Sequence, residues 1–160
     1  MLNRIEIIDE KTLVGKNMKM SLTNNKTSEL WKSFMQERNQ IKHRINSDFI
    51  SLQNYPDGYF DSFNPNTEFE KWACVEVAKL DYLPEGMRTF KINAGEFAVF
   101  THKGSNADPS IFKFIYSDWL PNSDYELRDE PHFEILGVKY KNNDPCSEEE
   151  IWIPIVKKKA

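Results

Sequence analysis

Little in this chain suits metal, disulfide or membrane chemistry. Its two cysteines, Cys74 and Cys146, lie far apart and outside any CxxC pair, so neither a disulfide framework nor a zinc site is expected. No stretch approaches the ~20 apolar residues that cross a bilayer. Near the N-terminus, Glu6, Asp9, Glu10 and Lys11 interrupt what a signal peptide keeps apolar. The only basic run is Lys157 to Lys159, in a chain of net charge -4. Phosphate-backbone binding needs clustered Lys and Arg, so nucleic acid is not an expected partner. His43, His102 and His132 are scattered without metal-ligand spacing. Gly-x-Ser-x-Gly, P-loop and Gly-x-Gly-x-x-Gly motifs are missing, so no cofactor is expected. These absences favour a cytoplasmic protein with no membrane contact.

What is present is an ordinary globular composition: 160 residues, 39% apolar and 29% charged, a length that suits one core. Aromatics reach 13%, with 11 Phe, 6 Tyr and 4 Trp, enough to pack a core and still line a pocket. Ile5 and Ile7 alternate with polar residues, and a second extended run covers Leu13 to Met20. Helical spacing follows over 27–45, with Leu30, Trp31, Phe34, Met35, Ile41 and Ile45 mostly on one face and Thr27 or Ser28 as cap. Strands are expected over 50–55 and 69–79, with a loop from Tyr59 to Glu68 between them. The second half repeats the order. Strands cover 89–92 and 96–102, Asp108-Pro109 starts a helix that Pro121 stops, and strands cover 132–140 and 149–156.

The halves match at nearly constant offset. Ile8 corresponds to Ile92, Thr27 to Asp108 and Trp72 to Trp152, about 84, 81 and 80 positions apart. The expectation is an α+β fold: a duplicated β-α-β-β unit with pseudo-twofold symmetry, antiparallel sheets, one helix per repeat and a central ligand cleft. Repeat one is set at about 1–80 and repeat two at about 87–156, within a single domain over 1–156, and 157–160 form a basic tail.

Four blocks of the second half resemble the GyrI-like family, also called the AraC effector-binding domain: Phe97 to Phe100, Trp119 to Glu126, Pro131 to Glu134 and Glu150 to Ile155. The first half matches mainly in architecture, best over Phe69 to Val77. The resemblance implies a bacterial protein that takes an amphipathic, aromatic or cationic small molecule in its cleft, as in multidrug recognition. Members serve transcription regulation when fused to DNA-binding domains, and this chain is expected to stand alone. Some stand-alone members bind DNA gyrase, and others hydrolyse cyclopropane-containing toxins. The sequence departs from the family pattern at Leu136, where Tyr is frequent, and at Asp124, where Gly is.

Glu134 leads the site candidates. Alternation places Phe133 and Ile135 on one face, expected beneath a helix. It turns His132, Glu134, Leu136 and Val138 toward the groove. A carboxyl among aromatic walls is costly to desolvate, which raises its pKa and suits it to meet a cation or move a proton. The bland alternative is a solvated strand glutamate. Trp72 and Trp152 hold equivalent places and could sandwich a flat ligand, or else cover the sheet or a dimer contact. Tyr55 is placed at the groove mouth or in turn packing, Tyr116 on the helical core stripe or at the ligand, and Glu150 at the cleft or in a solvated run.

Three functions compete: a small-molecule binding module, a hydrolase with Glu134 as its catalytic group, and a protein-interaction inhibitor of the gyrase-binding kind. A homodimer is compatible with each.

Overall fold

The computed structural model describes residues 2–159. Among the described residues the strands are β1 (Leu2–Ile8), β2 (Lys11–Met20), β3 (Phe49–Asn54), β4 (Phe69–Val77), β5 (Arg88–Ile92), β6 (Gly95–Lys103), β7 (Tyr125–Leu127), β8 (His132–Leu136) and β9 (Glu148–Lys157). Helix α1 spans Thr27–Glu37. Its counterpart is a composite: α2 (Ser110–Phe114), a π-helical turn (Ile115–Trp119) and α3 (Leu120–Asn122).

All strand pairs are antiparallel, in the order β1-β6-β9-β8-β3-β4-β2-β5, with β7 on β9. The order is symmetric about its β8–β3 centre, each strand of one copy facing its equivalent in the other. Leu52 lies opposite Trp72, and Phe133 opposite Trp152, so Leu52 and Phe133 are equivalent. They also pair with each other, which places the pseudo-twofold axis between them. The expected duplicated α+β architecture is therefore the observed one.

Two short links bend this sheet. Asp9 and Glu10 alone join β1 to β2, which stand six strand spacings apart in the order. Laid flat, that separation is roughly 29 Å. Three Cα steps reach at most about 11 Å. Asn93 and Ala94 impose the same closure between β5 and β6. The sheet must roll, and the rolled interior is a helix-free core drawn from eight strands. It contains Ile8, Leu13, Ile50, Leu52, Trp72, Cys74, Ile92, Phe97, Val99, Phe133 and Trp152.

The outer face carries the helices. Val14, Ala73, Val75 and Val77 pack under α1 with Leu30 and Phe34. Ala98, Phe100, Ile151, Ile153 and Ile155 pack under the second helix with Ile115. Phe133 and Ile135 belong to the rolled interior, not beneath a helix as their alternation suggested. Alternation separates two faces, but here both are buried, and curvature decides which one meets the helices.

Local differences have local causes. Helix α1 stops at Glu37, followed by a 3-10 turn (Arg38–Gln40) and an extended Ile41. His43, past the extended Ile41, takes a left-handed φ of 65°, and the exposed Ile45 lies outside the helix. Neither Thr27 nor Ser28 caps α1; Asn25 Oδ1 instead accepts from the Thr27 amide. Asp108 precedes the second helix in the same way, accepting from the Ser110 amide at 3.0 Å, while Pro109 holds the N-cap position rather than the first helical one. Strand β8 ends at Leu136, leaving Val138 in solvent rather than on the groove face. Strand β7 was not anticipated, because three residues with Tyr125 and Leu127 outward of a helix end give no periodic signal.

Candidate functional site

The central β3–β8 pair is the part of the outer face that neither helix covers. Ser51 lies opposite Glu134 and Gln53 opposite His132. Ser51 also pairs with Ala73, and Glu134 with Ile151. Those two partners sit in the α1 and second-helix cores, so Ser51, Gln53, His132 and Glu134 face outward between the helices. Symmetry makes Gln53 the counterpart of Glu134 and Ser51 that of His132. One copy therefore offers an acid and an imidazole where the other offers an amide and a hydroxyl.

An aromatic cluster roofs this floor. Tyr55 follows β3 directly, and its ring centroid lies 4.5 Å from Tyr59, 5.3 Å from Phe69 and 5.0 Å from His132. The Pro56-Asp57-Gly58 turn, with Gly58 at φ 77°, presents Tyr59 inward and Phe60 across the groove. Phe60 stacks on Tyr116 at 5.1 Å and on His132 at 5.2 Å. The π turn carries Tyr116, whose hydroxyl bonds His132 Nδ1 at 2.7 Å. Tyr116 thus both packs on the second-helix core, as its stripe indicates, and joins the cluster.

Electrostatics here follow from enclosure. Solvent touches part of Glu134, yet the carboxyl lies deep among protein atoms. Burial pushes its pKa up to about 8, helped by Glu149 and opposed by the Lys71 ammonium and the Gln53 amide. Burial lowers His132 to about 3, so its ring is neutral. Burial, then the charge of Glu134, raises Tyr55. Tyr116 is raised by burial and by Tyr55, then by Glu134. Burial lowers Lys71, while Glu134 and Glu149 hold its proton. Glu149 is raised by burial and faces His102 Nδ1 at 3.3 Å. The floor is thus a line of ionisable groups under a neutral aromatic roof.

The structure brings Glu134, Tyr55 and Tyr116 together and separates the other candidates from them. Trp72 and Trp152 lie on the opposite face of the sheet, at 3% and 4% exposure. Trp152 stacks on Phe133 at 5.3 Å, and Trp72 packs on Phe90 at the same distance. They fill the rolled interior because they alternate out of phase with Ala73 and Ile151, which face the helices. Glu150 shares the Trp152 face, accepts from its indole at 3.3 Å and bonds Arg4 at 2.9 Å, away from Glu134. Tyr59, Phe60, Lys71, His102 and Glu149 were missed. The adjacent aromatics after Gly58, in an otherwise polar loop, were the available signal for the first two. Two hollows, of about 240 and 400 Å³, open on the far flanks of the helices, beside Lys16 and Ser33 and beside His102 and Asp108. Neither takes in Glu134. Among the described residues no acidic, His or Cys group forms a metal cluster, and no helix is long and apolar enough to cross a membrane.

The duplicated antiparallel sheet with one helix over each half is the α+β fold of the GyrI-like effector-binding class. A model of Cass2, the integron-associated effector binding protein family, matches residues 4–155, and the chain belongs to that family. The solved structure of SAV2435 bound to tetraphenylphosphonium is similar over 98% of this chain and 94% of its own, with a TM-score of 0.68 and 14% identity. The integron cassette protein VCH_CASS2 of Vibrio cholerae is similar over 96% and 95%, with a TM-score of 0.65 and 17% identity. The transcriptional regulator BrlR of Pseudomonas aeruginosa is 38% identical over 95 residues, 57% of this chain and 34% of its own length. The chain thus spans about a third of that regulator.

Proposed function

We propose that this protein binds an amphipathic aromatic cation in the groove between its helices, with Glu134 as the charge partner. The observation that carries this reading is an enclosed carboxyl near Tyr55 and Tyr116, on the strand face it shares with a neutral His132, with Tyr59 and Phe60 packed on those rings. A lipophilic cation gains from such a site twice. Its apolar surface leaves water for the rings, and its charge meets both aromatic faces and a carboxylate that water screens poorly. The tetraphenylphosphonium bound to SAV2435 is a cation of this class.

The test is calorimetric titration with tetraphenylphosphonium at about pH 9, where Glu134 is ionised, against the native protein and Glu134→Gln. Saturable binding, weakened about tenfold or more in the variant, is expected, since charge pairing in an enclosed site contributes about 1.5–3 kcal/mol. Equal affinity in both proteins overturns the assignment of Glu134.

A second reading draws on the same carboxyl. Held protonated near neutral pH, Glu134 is also a general acid beside the Tyr116–His132 pair, suited to opening a strained electrophile. Recovery of an electrophilic cyclopropane probe chemically unchanged after long incubation rules it out. Multidrug breadth and a gyrase-type partner are expectations of the resemblance, and cytoplasmic location is an expectation of the sequence. A DNA pull-down and a gyrase supercoiling assay check the absence of nucleic-acid binding and the partner, respectively.

A further inference from the structure

We infer that Phe60 is a built-in occupant of the ligand's ring position, so that an aromatic cation enters by exchanging with it. This rests on the groove reading above and adds what fills the groove before the ligand arrives.

The geometry has three parts. First, the Phe60 ring lies nearly parallel to two rings of the other copy, at 17° to His132 and 27° to Tyr116. Tyr55 and Tyr59 meet it edge-on, at 4.9 and 5.1 Å. A flat ligand ring seated above Glu134 would use these same faces. Second, Phe60 sits at the solvent edge of the cluster. It is 39% exposed, while His132 and Tyr59 are 5% and 8% exposed. Among the described residues, the backbone bonds of 56–62 stay within the loop: Tyr59 to Pro56, and Asp61 and Ser62 to Gly58. Tyr59 anchors the turn to the core, and Phe60 can swing without breaking a strand ladder. Third, the faces it covers are uncharged. The Tyr116 hydroxyl occupies His132 Nδ1, and burial keeps the imidazole neutral, so removing Phe60 uncovers surface that attracts a cation.

An occupant and a wall predict opposite effects of substitution. Two stacked ring pairs lost on opening cost about 1–3 kcal/mol, so Phe60→Ala should bind tetraphenylphosphonium about tenfold tighter. Phe60→Trp, with a larger ring in the same slot, should bind it more weakly. In stopped-flow mixing, the native association rate should level off with rising ligand as ring displacement becomes limiting, whereas that of Phe60→Ala should keep rising linearly. Weaker or equal binding by Phe60→Ala, or tighter binding by Phe60→Trp, makes Phe60 a wall of the site and overturns the inference while leaving the groove assignment intact. Absence of binding by native protein and both variants, each shown folded by its melting transition, instead overturns the groove assignment and the inference with it.

Discussion

Cation affinity should climb steeply with pH, because the acceptor must lose a proton to act as a counter-charge. Burial pushes Glu134 up to about 8, so near neutral pH most of the protein lacks the counter-charge, and the apparent Kd rises as the ionised fraction falls. Binding should weaken from its alkaline limit by up to about tenfold at pH 7 and further at pH 6, with the affinity of Glu134→Gln as the floor, levelling off above about pH 9. The groups facing Glu134 include Lys71, Glu149, Gln53, Tyr55 and Tyr116. The tyrosines are raised and His132 is at about 3, so neither changes charge in this window. Lys71, lowered by burial, would add in the same direction by shedding repulsion, and Lys71→Met separates its share. The assay is tetraphenylphosphonium titration from pH 6 to 9.5, repeated in buffers of different ionisation enthalpy. Close to one proton should be released per ligand at pH 7. A flat profile in the native protein, or the same slope in Glu134→Gln, refutes the reasoning.

Other consequences can be checked with the free protein. Between about pH 4.5 and 8 the native state binds more protons at Glu134 than the unfolded chain does, so stability falls as pH rises through that window. Glu134→Gln should therefore raise the melting temperature, by the equivalent of roughly 1–3 kcal/mol at pH 8.5 after solvent screening, and by little at pH 5. Trp152→Ala should cost about 3–5 kcal/mol in denaturant titration, whereas Trp72→Phe and Trp152→Phe should leave cation affinity within about twofold, as residues of the rolled interior. Gly15→Ala should destabilise by at least about 1–3 kcal/mol, since its methyl would stand 2.1 Å from the Ala73 carbonyl oxygen and 2.6 Å from Cys74 Cα. Urea midpoints measure it.

Much of the fold was legible because it depends on local chemistry repeated twice. Asp108 before a helix, Trp72 and Trp152 in equivalent strands, and Ile151, Ile153 and Ile155 against the second helix all stand as their spacing indicates. Glu134 on the same face as His132 was legible for the same reason. The partners of Glu134 were not. Lys71 and Glu149 reach it from β4 and β9, strands brought beside β3 and β8 by pairing that no local pattern encodes. The place of the indoles stayed open between ligand and sheet for a related cause. A buried face reads the same in sequence whether helices or the sheet's own curl cover it, and the two-residue links that force the curl give no signal of what their strands avoid pairing with.

The outermost strands carry a last consequence. β1 belongs to the first copy but pairs with β6 of the second, and β5 of the second pairs with β2 of the first. Each copy lends its leading strand to the other, as partners do when they exchange arms. A gene for one copy alone would have encoded a chain able to complete its sheet only by crossing arms with a twin. Within one chain that exchange is internal, and the pseudo-twofold axis relates Glu134 to Gln53, so equivalent positions carry an acid and an amide.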